Sequence, residues 1–316
     1  MKKVGVQVGI LALFVLFLIN SSTFSYPRKV LFEDFTSTTC PPCAAAAPEI
    51  EAGLEIVGHE RVSSIAYHMN WPAPGNDPWY HNNPNDNNAR RSYYGVNAIP
   101  YYVIDGTQYG GARTRQALSQ AILNRQQTPS PLQITLEGRV INNTLRAHVE
   151  VTSDAQLDNL TLYFAITERY ARYQAPTGQN DHYDSMLKML PNGNGTRFNI
   201  NQNQTLSWDF EQREVDTLGW HELQMDNLAL IVWVQGSNRE VLQSQNYFLG
   251  YDVPAVGIIE WAVSDEAQGD GDGRVEPGEV GDIFITLANA PNYARAESVE
   301  IALSTEDQGV DIISAM

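Results

Sequence analysis

KVLFEDFTSTTCPPCAAAAPEIEAGLEIV, residues Lys29–Val57, is the stretch on which the fold turns. Lys29–Phe35 is almost continuously apolar and reads as a buried strand. Cys43–Val57 is alanine-rich with apolar residues at helical spacing and reads as a helix. Between them, at a strand-to-helix junction, lies Cys40-Pro41-Pro42-Cys43. Working outward, Val62–His68 and Tyr101–Ile104 read as further strands, the second closing in an Asp105-Gly106 turn. Thr114–Arg125 carries Ala117, Leu118, Ala121 and Ile122 at helical spacing. Strands alternating with helices predict an α/β domain over residues 26–128. Within it, Trp71–Asn88 is dominated by Asn, Pro and Asp, with Trp71, Trp79 and Tyr80 interspersed, and reads as a long irregular loop.

Gln127-Thr128-Pro129-Ser130-Pro131 reads as a short stiff linker. Beyond it the pattern changes to period two. Leu132–Arg139, Leu145–Thr152, Leu160–Glu168, Leu228–Gln235 and Glu240–Phe248 are strand candidates, with one short helical pattern at Tyr183–Leu190. Residues 129–252 therefore predict an antiparallel β-sandwich. Residues 253–316 hold three more strand candidates, Ile258–Val263, Asp282–Ala288 and Glu297–Ser304. Three strands are too few to close a sandwich of ~100 residues, so this region reads as a partial β-module.

Composition narrows the function. The 316 residues carry a formal net charge of −17, which repels phosphate backbones and excludes nucleic-acid partners. With only Cys40 and Cys43, the folds must stand on hydrophobic cores. At the N-terminus, Lys2 and Lys3 precede an apolar run, Val8–Ile19, and then small residues to Ser25. Residues 1–25 read as a secretory signal cut after Ser25, the competing reading being a single-pass anchor. The apolar core is short of the ~20 residues a span needs. No later segment is long and apolar enough to cross a bilayer. The expected location is therefore the periplasm, the outer membrane or the cell surface, as an exported protein that is soluble or held by an envelope partner.

A lone C-x-x-C fits a redox dithiol, half of a zinc site, or no chemistry at all. A structural zinc site needs two further ligands, and the chain offers no third cysteine and only scattered histidines. The surroundings resemble the thioredoxin superfamily at several positions. Asp34-Phe35 ends the first strand, with the acid six residues before Cys40, and Pro48 falls five residues after Cys43. Tyr94-Gly95-Val96-Asn97-Ala98-Ile99-Pro100 resembles the segment that bears the superfamily's cis-proline. Two features depart from the pattern: Thr39 stands where tryptophan is usual, and the interval from Cys43 to Pro100 is lengthened. The resemblance implies that Cys40 is the nucleophile, Cys43 resolves, Asp34 moves the second thiol's proton and Pro100 shapes an edge for an extended substrate. No cofactor is needed. A helix N-terminus favours a thiolate, although Pro41 and Pro42 remove two N–H donors. The expected potential therefore lies nearer ~−270 mV than ~−120 mV. Ile99, Trp71 and His68 are candidate substrate contacts, against the plainer readings of His68 as a hydrogen-bonded strand-end histidine and Trp71 as a pin for the long loop.

The threonine-rich lead-in Phe35–Thr39, the strand ending in His68, and His182–Pro191 in the β-domain resemble a narrower group over Val30–Tyr251. It is the bacterial family related to the twenty-eight-kilodalton outer membrane protein, which implies a cell-envelope location. In the last region, Asp270, Asp272, Glu276 and Glu279 crowd four carboxylates among glycines. The loop, with Pro277-Gly278-Glu279, resembles those near the start of some bacterial Ig-like modules. It is not an EF-hand, because Val275 and Gly281 occupy the positions of the turn glycine and the bidentate Glu. It reads either as a Ca²⁺ site, with Arg274 adding its carbonyl, or as a solvated acidic turn. Two functions stay open: a thiol–disulfide oxidoreductase acting on protein or peptide thiols and disulfides, and a structural or adhesion-type envelope protein without turnover.

Overall fold

A strand that is apolar on both faces must be covered on both, and β1 (Val30–Thr36) is buried along nearly its whole length. The computed structural model describes residues 26–250, 256–272, 274–289, 299, 301 and 304. β1 pairs in parallel with β2 (Val62–His68) and antiparallel with β3 (Tyr101–Ile104), which turns into the short β4 (Thr107–Gln108). Val30 and Phe32 face α1 (Pro41–Val57) and α4 (Arg115–Gln126), packing with Ile50, Leu54, Leu118 and Ile122. Leu31 and Phe35 face the other way, into a core with Ile65, Tyr67 and Tyr94.

The long loop expected at Trp71–Asn88 is instead largely helical: α2 (Pro78–Asn82) and α3 (Pro84–Tyr94) occupy it. Each starts on an Asx residue followed by proline. Asp77 accepts from Tyr80 N and Asn83 from Asp86 N, so the polar side chains that suggest a loop are in fact N-caps. Trp79 is buried and pins the segment.

The remaining strands are β5 (Leu132–Ile141), β6 (Thr144–Ser153), β7 (Leu157–Arg172), β8 (Asp181–Leu190), β9 (Thr196–Ile200), β10 (Thr205–Arg213), β11 (Leu228–Gln235) and β12 (Val241–Phe248). The helical pattern expected at Tyr183–Leu190 is strand β8. Its apolar residues look helical because a bulge opposite Ile166/Thr167 interrupts the alternation and both faces are buried. Leu187 and Leu190 enter one core, Met186 and Met189 the other.

The chain is mainly β, with a mixed nine-stranded sheet in the order β12-β11-β7-β8-β2-β1-β3-β4, and β9 on β7. The three-stranded sheet β10-β6-β5 packs opposite, across a core that includes Leu136, Val149, Phe164 and Leu230. The sandwich expected from residues 129–252 alone, antiparallel throughout, instead has as its larger layer this mixed sheet, which includes β1–β4. The boundary expected at residue 128 does not divide the large sheet. β8 lies parallel to β2, Ala66 opposite Ser185, so strands from both sides of the linker form one layer. The seam is polar and satisfied. Arg28, buried, donates to Asp105 Oδ2 at 3.0 Å and to Val241 O at 2.6 Å, and Arg125 donates to the same Asp105 oxygen at 2.8 Å. Gly106, at φ +85°, lies so close to the β11–β12 turn that a Cβ would meet Arg239 O at 1.7 Å.

A separate antiparallel hairpin, β13 (Val256–Gln268) and β14 (Val280–Asn289), follows. The third strand expected there, 297–304, lies largely outside the described residues, as does the expected signal at 1–25. Among the described residues, no helix is long and apolar enough to cross a membrane.

Candidate active site

Cys40 is the N-cap of α1, with Pro41 and Pro42 filling its first positions. Proline suits those positions, because the N–H it lacks has no partner in a helix's first turn. Cys40 and Cys43 form a disulfide with their Cα atoms 5.2 Å apart. The Cys43 N–H donates to Cys40 Sγ at 3.2 Å, so one backbone donor on the sulfur survives the two prolines. Both cysteines are 2% exposed. The lead-in is tied from two sides. Thr38 N donates to Asp77 Oδ2 at 2.7 Å, and Thr177, in the β7–β8 connection, donates through Oγ1 to Thr38 O at 3.0 Å.

Asp77 joins three elements. It caps α2, holds Thr38, and accepts from His68 Nδ1 at 2.8 Å. Burial opposes its charge, but the His68 interaction and the two backbone N–H groups hold its carboxyl below the usual range. His68 also shares a hydrogen bond between Nε2 and Ser185 Oγ at 3.2 Å, and its ring stacks on Trp79 with centroids 4.8 Å apart. Both nitrogens of His68 are engaged and the residue is 2% exposed, so it supports the lead-in. Sequence reasoning missed Asp77. The signal was Asp77-Pro78, a helix start inside a stretch that composition marks as loop.

Adjacent acids on β1 face opposite ways. Glu33 enters the core shared with α3 and β11. It accepts from Arg90 Nη2 at 2.7 Å and from the Tyr94 hydroxyl at 2.6 Å, and Gln235 Nε2 donates to that hydroxyl at 2.9 Å. Arg90 lies within a ring of Tyr93, Tyr94, Tyr163 and Trp233. Asp34 faces α1, and its Oδ1 is buried with no hydrogen-bond partner. Burial pushes its carboxyl up to about 7 against the pull of His68 and Arg113. Asp34 lines a cavity of about 40 Å³ with Thr36, Ala47, Glu51, His68, His182 and Asp184. Ala47 stands one turn beyond Cys43 on α1, which brings the cavity beneath the resolving sulfur's helix face.

The Ile99–Pro100 peptide is cis, as the resemblance implied, and Pro100 O accepts from Arg113 Nη2 at 3.3 Å. Ile99 and Trp71 pack as half-buried residues on the core that includes Phe35. The Arg91 guanidinium covers the Trp71 ring at 4.8 Å, so this indole is partly occupied by an internal contact.

The four acids of the C-terminal loop do not make one cluster. Carboxylate oxygens of Asp270, Glu276 and Glu279 lie within 4.8 Å of one another, and so do those of Asp265, Asp270 and Asp272. Asp265, on β13, was absent from the sequence reading because it precedes the acidic run, yet it is the buried member. These groups could hold a metal ion. They also bind the turn's own backbone: Asp272 accepts from Arg274 N and Asp270 from Asp272 N.

No protein-family model matches the chain, and no curated protein matches it in sequence. Solved structures do. HBP35 of Porphyromonas gingivalis superposes over 84% of this chain and 99% of its own, with a TM-score of 0.57 at 15% identity, which shows a shared fold. A protein of Agrobacterium tumefaciens covers 70% of this chain and 95% of its own at a TM-score of 0.45 and 12% identity. Tryparedoxin I of Leishmania major covers 31% and 77%, at 0.23 and 22%.

Proposed function

We infer that the chain is a thiol–disulfide oxidoreductase of the cell envelope, carried on a thioredoxin-like unit spanning about residues 26–128 and acting on protein or peptide thiols and disulfides. The observation that carries this reading is a Cys40–Cys43 disulfide at a helix N-terminus whose helix covers a buried, unpartnered Asp34 oxygen. A cysteine at an N-cap is favoured as a thiolate by the helix dipole. A carboxyl held near neutral pH can exchange a proton at working pH. The cis-Pro100 segment offers an extended backbone edge to a peptide. The reaction is exchange. In the reduced protein the Cys40 thiolate attacks a substrate disulfide, whose S–S bond breaks as the mixed disulfide forms and one substrate sulfur leaves as a thiol. Cys43 then attacks Cys40, re-forming the internal disulfide and releasing the second substrate sulfur, so the dithiol loses two electrons and the substrate gains them.

Insulin reduction by dithiothreitol tests it. Wild type should accelerate turbidity, and Cys40→Ser should not. Equal traces would leave the structural or adhesion-type reading. One observation favours that alternative: both cysteines are 2% exposed and Thr177 anchors a loop to their lead-in.

For the hairpin we propose Ca²⁺ binding at the acidic loop, with two alternative ligand groups that share Asp270: Asp265, Asp270 and Asp272, or Asp270, Glu276 and Glu279. Saturating Ca²⁺ should raise the hairpin's melting temperature by mass action, and chelator should reverse it. Coincident melting curves, unchanged in Asp272→Ala, would reduce the loop to an acidic turn.

A further inference from the structure

The cavity under α1 is walled by both halves of the chain. β1 contributes Asp34, α1 contributes Glu51, β2 contributes Ser64 and His68, and β8 contributes His182, Tyr183 and Asp184. Asp184 is out of place in a solely structural wall. It is a carboxyl inside a cavity, hydrogen-bonded to Ser64, on a strand belonging to the half of the chain that carries no cysteine. The same cavity is lined by Asp34, whose Oδ1 has no partner, and by Glu51, which meets the half-exposed ring of His59 at 3.2 Å. A water needs roughly 10–15 Å³ of such space, so a cavity of about 40 Å³ has room for a short chain of them.

We propose that Asp184 is a proton-relay residue that recharges Asp34 from solvent through this cavity during reduction of the Cys40–Cys43 disulfide. Asp184 acts through Asp34 and not on sulfur. The inference rests on the redox reading of the cysteine pair. A thiolate of a dithiol reductant attacks Cys40 Sγ; that S–S bond forms, the Cys40–Cys43 bond breaks, and the electron pair leaves on Cys43 Sγ. Cys43 takes the proton of Asp34. Asp34 takes one through cavity water from Asp184, and Asp184 takes one from solvent past Glu51 and His59. The reductant's second thiol loses its proton to solvent and closes the reductant's disulfide, freeing Cys40 as a thiolate. One proton enters from solvent and one returns, so the step balances.

The electrostatics agree. Burial pushes Asp184 up to about 7, with Glu51 adding to the rise and Ser64, His59 and Arg169 opposing it. Asp34 reaches about 7 as well, with His68 and Arg113 opposing. Both carboxyls are thus raised into the neutral range, where a relay can exchange protons. Burial pulls the His182 imidazole down to about 4, so it stands neutral beside them. Tyr183 and Tyr102, which complete the titratable neighbours, are both pushed up and stay protonated.

The test is stopped-flow reduction of the intact protein by dithiothreitol across the neutral range, normalised to reductant thiolate, with the midpoint potential measured alongside. Wild type should slow as pH rises through about 7. Asp184→Asn should be about tenfold slower at pH 6 and keep only the inflection that Asp34 itself imposes, with the potential unmoved. Asparagine suits the site, because Asp184 sits at φ +50°, a region that Asn and Asp tolerate. Ser64→Ala removes the bond favouring ionised Asp184, so the inflection should move to higher pH with its plateau retained. An Asp184→Asn profile that overlays wild type, or a Ser64→Ala inflection that stays put, would overturn the relay. Dithiothreitol reduces the disulfide whatever the natural substrate. A wild type that shows the inflection but leaves insulin untouched would therefore break the oxidoreductase reading alone.

Discussion

Glu33 and Asp34 are neighbours on one strand, carry the same functional group and meet opposite fates. Glu33 is fully buried, with Arg90 and Tyr94 on its two oxygens. Asp34 has a buried oxygen with nothing on it, and its carboxyl rises to about 7. Strand geometry makes the difference, because successive side chains point to opposite faces. One face received α3 and β11 with their partners; the other received an alanine-rich helix and a cavity. A paired buried charge resists change, whereas an unpaired one is ready to take or lose a proton.

The contrast is sharpest at Arg90. Arg90→Ala leaves Glu33 buried and uncompensated and should cost about 3–5 kcal/mol, read as a fall in the urea midpoint with an unchanged m-value. A cost below about 1 kcal/mol would show that Glu33 is not held as the geometry says. Asp34→Asn should act in the opposite direction. A carboxyl raised in the folded state binds its proton more tightly than in the unfolded chain, so wild-type stability falls as pH climbs from about 4 to about 7. The variant lacks that decline. It should equal wild type near pH 4 and exceed it by about 4 kcal/mol at pH 8, in parallel urea titrations. A difference independent of pH would sink the assignment. Tyr94→Phe, which removes one hydrogen bond to Glu33, should cost about 1.5 kcal/mol, with no effect on disulfide exchange. Were exchange to slow as well, the two faces of β1 would be coupled.

Half of this contrast could be read in the sequence. Asp34 was found because it precedes Cys40-Pro41-Pro42-Cys43 by a fixed interval, and Pro100 because it ends an apolar-glycine segment in the right order. Local patterns of this kind also revealed β1, α1, β2, β3 and α4. Glu33's partners were invisible, since Arg90 lies two residues past the segment read as polar loop, and nothing in the spacing links it to Glu33. Asp184 was hidden by a wrong period: with both faces of β8 buried and one bulge, its apolar residues fall at helical intervals. The continuity of the large sheet was beyond reach as well, because Ala66 and Ser185 are brought together by topology alone.

That continuity shapes how the chain must reach its native state. Until residue 185 is available, β2 is a buried-type strand with one side bare, and an unpaired edge of that kind is a template for pairing with other chains. Arg28 and Lys29 likewise wait for Val241 and Gln243, more than two hundred residues downstream. Contacts this distant place the loop-closure cost early and the reward late, which slows folding. The first half can therefore complete only one of its two faces alone: the core of Val30, Phe32, Leu54 and Leu118 is local, whereas the face of Leu31 and Phe35 waits for Tyr163, Met186 and Ile231. A nascent chain held unfolded until its last sheet strands are present would meet no premature structure to undo.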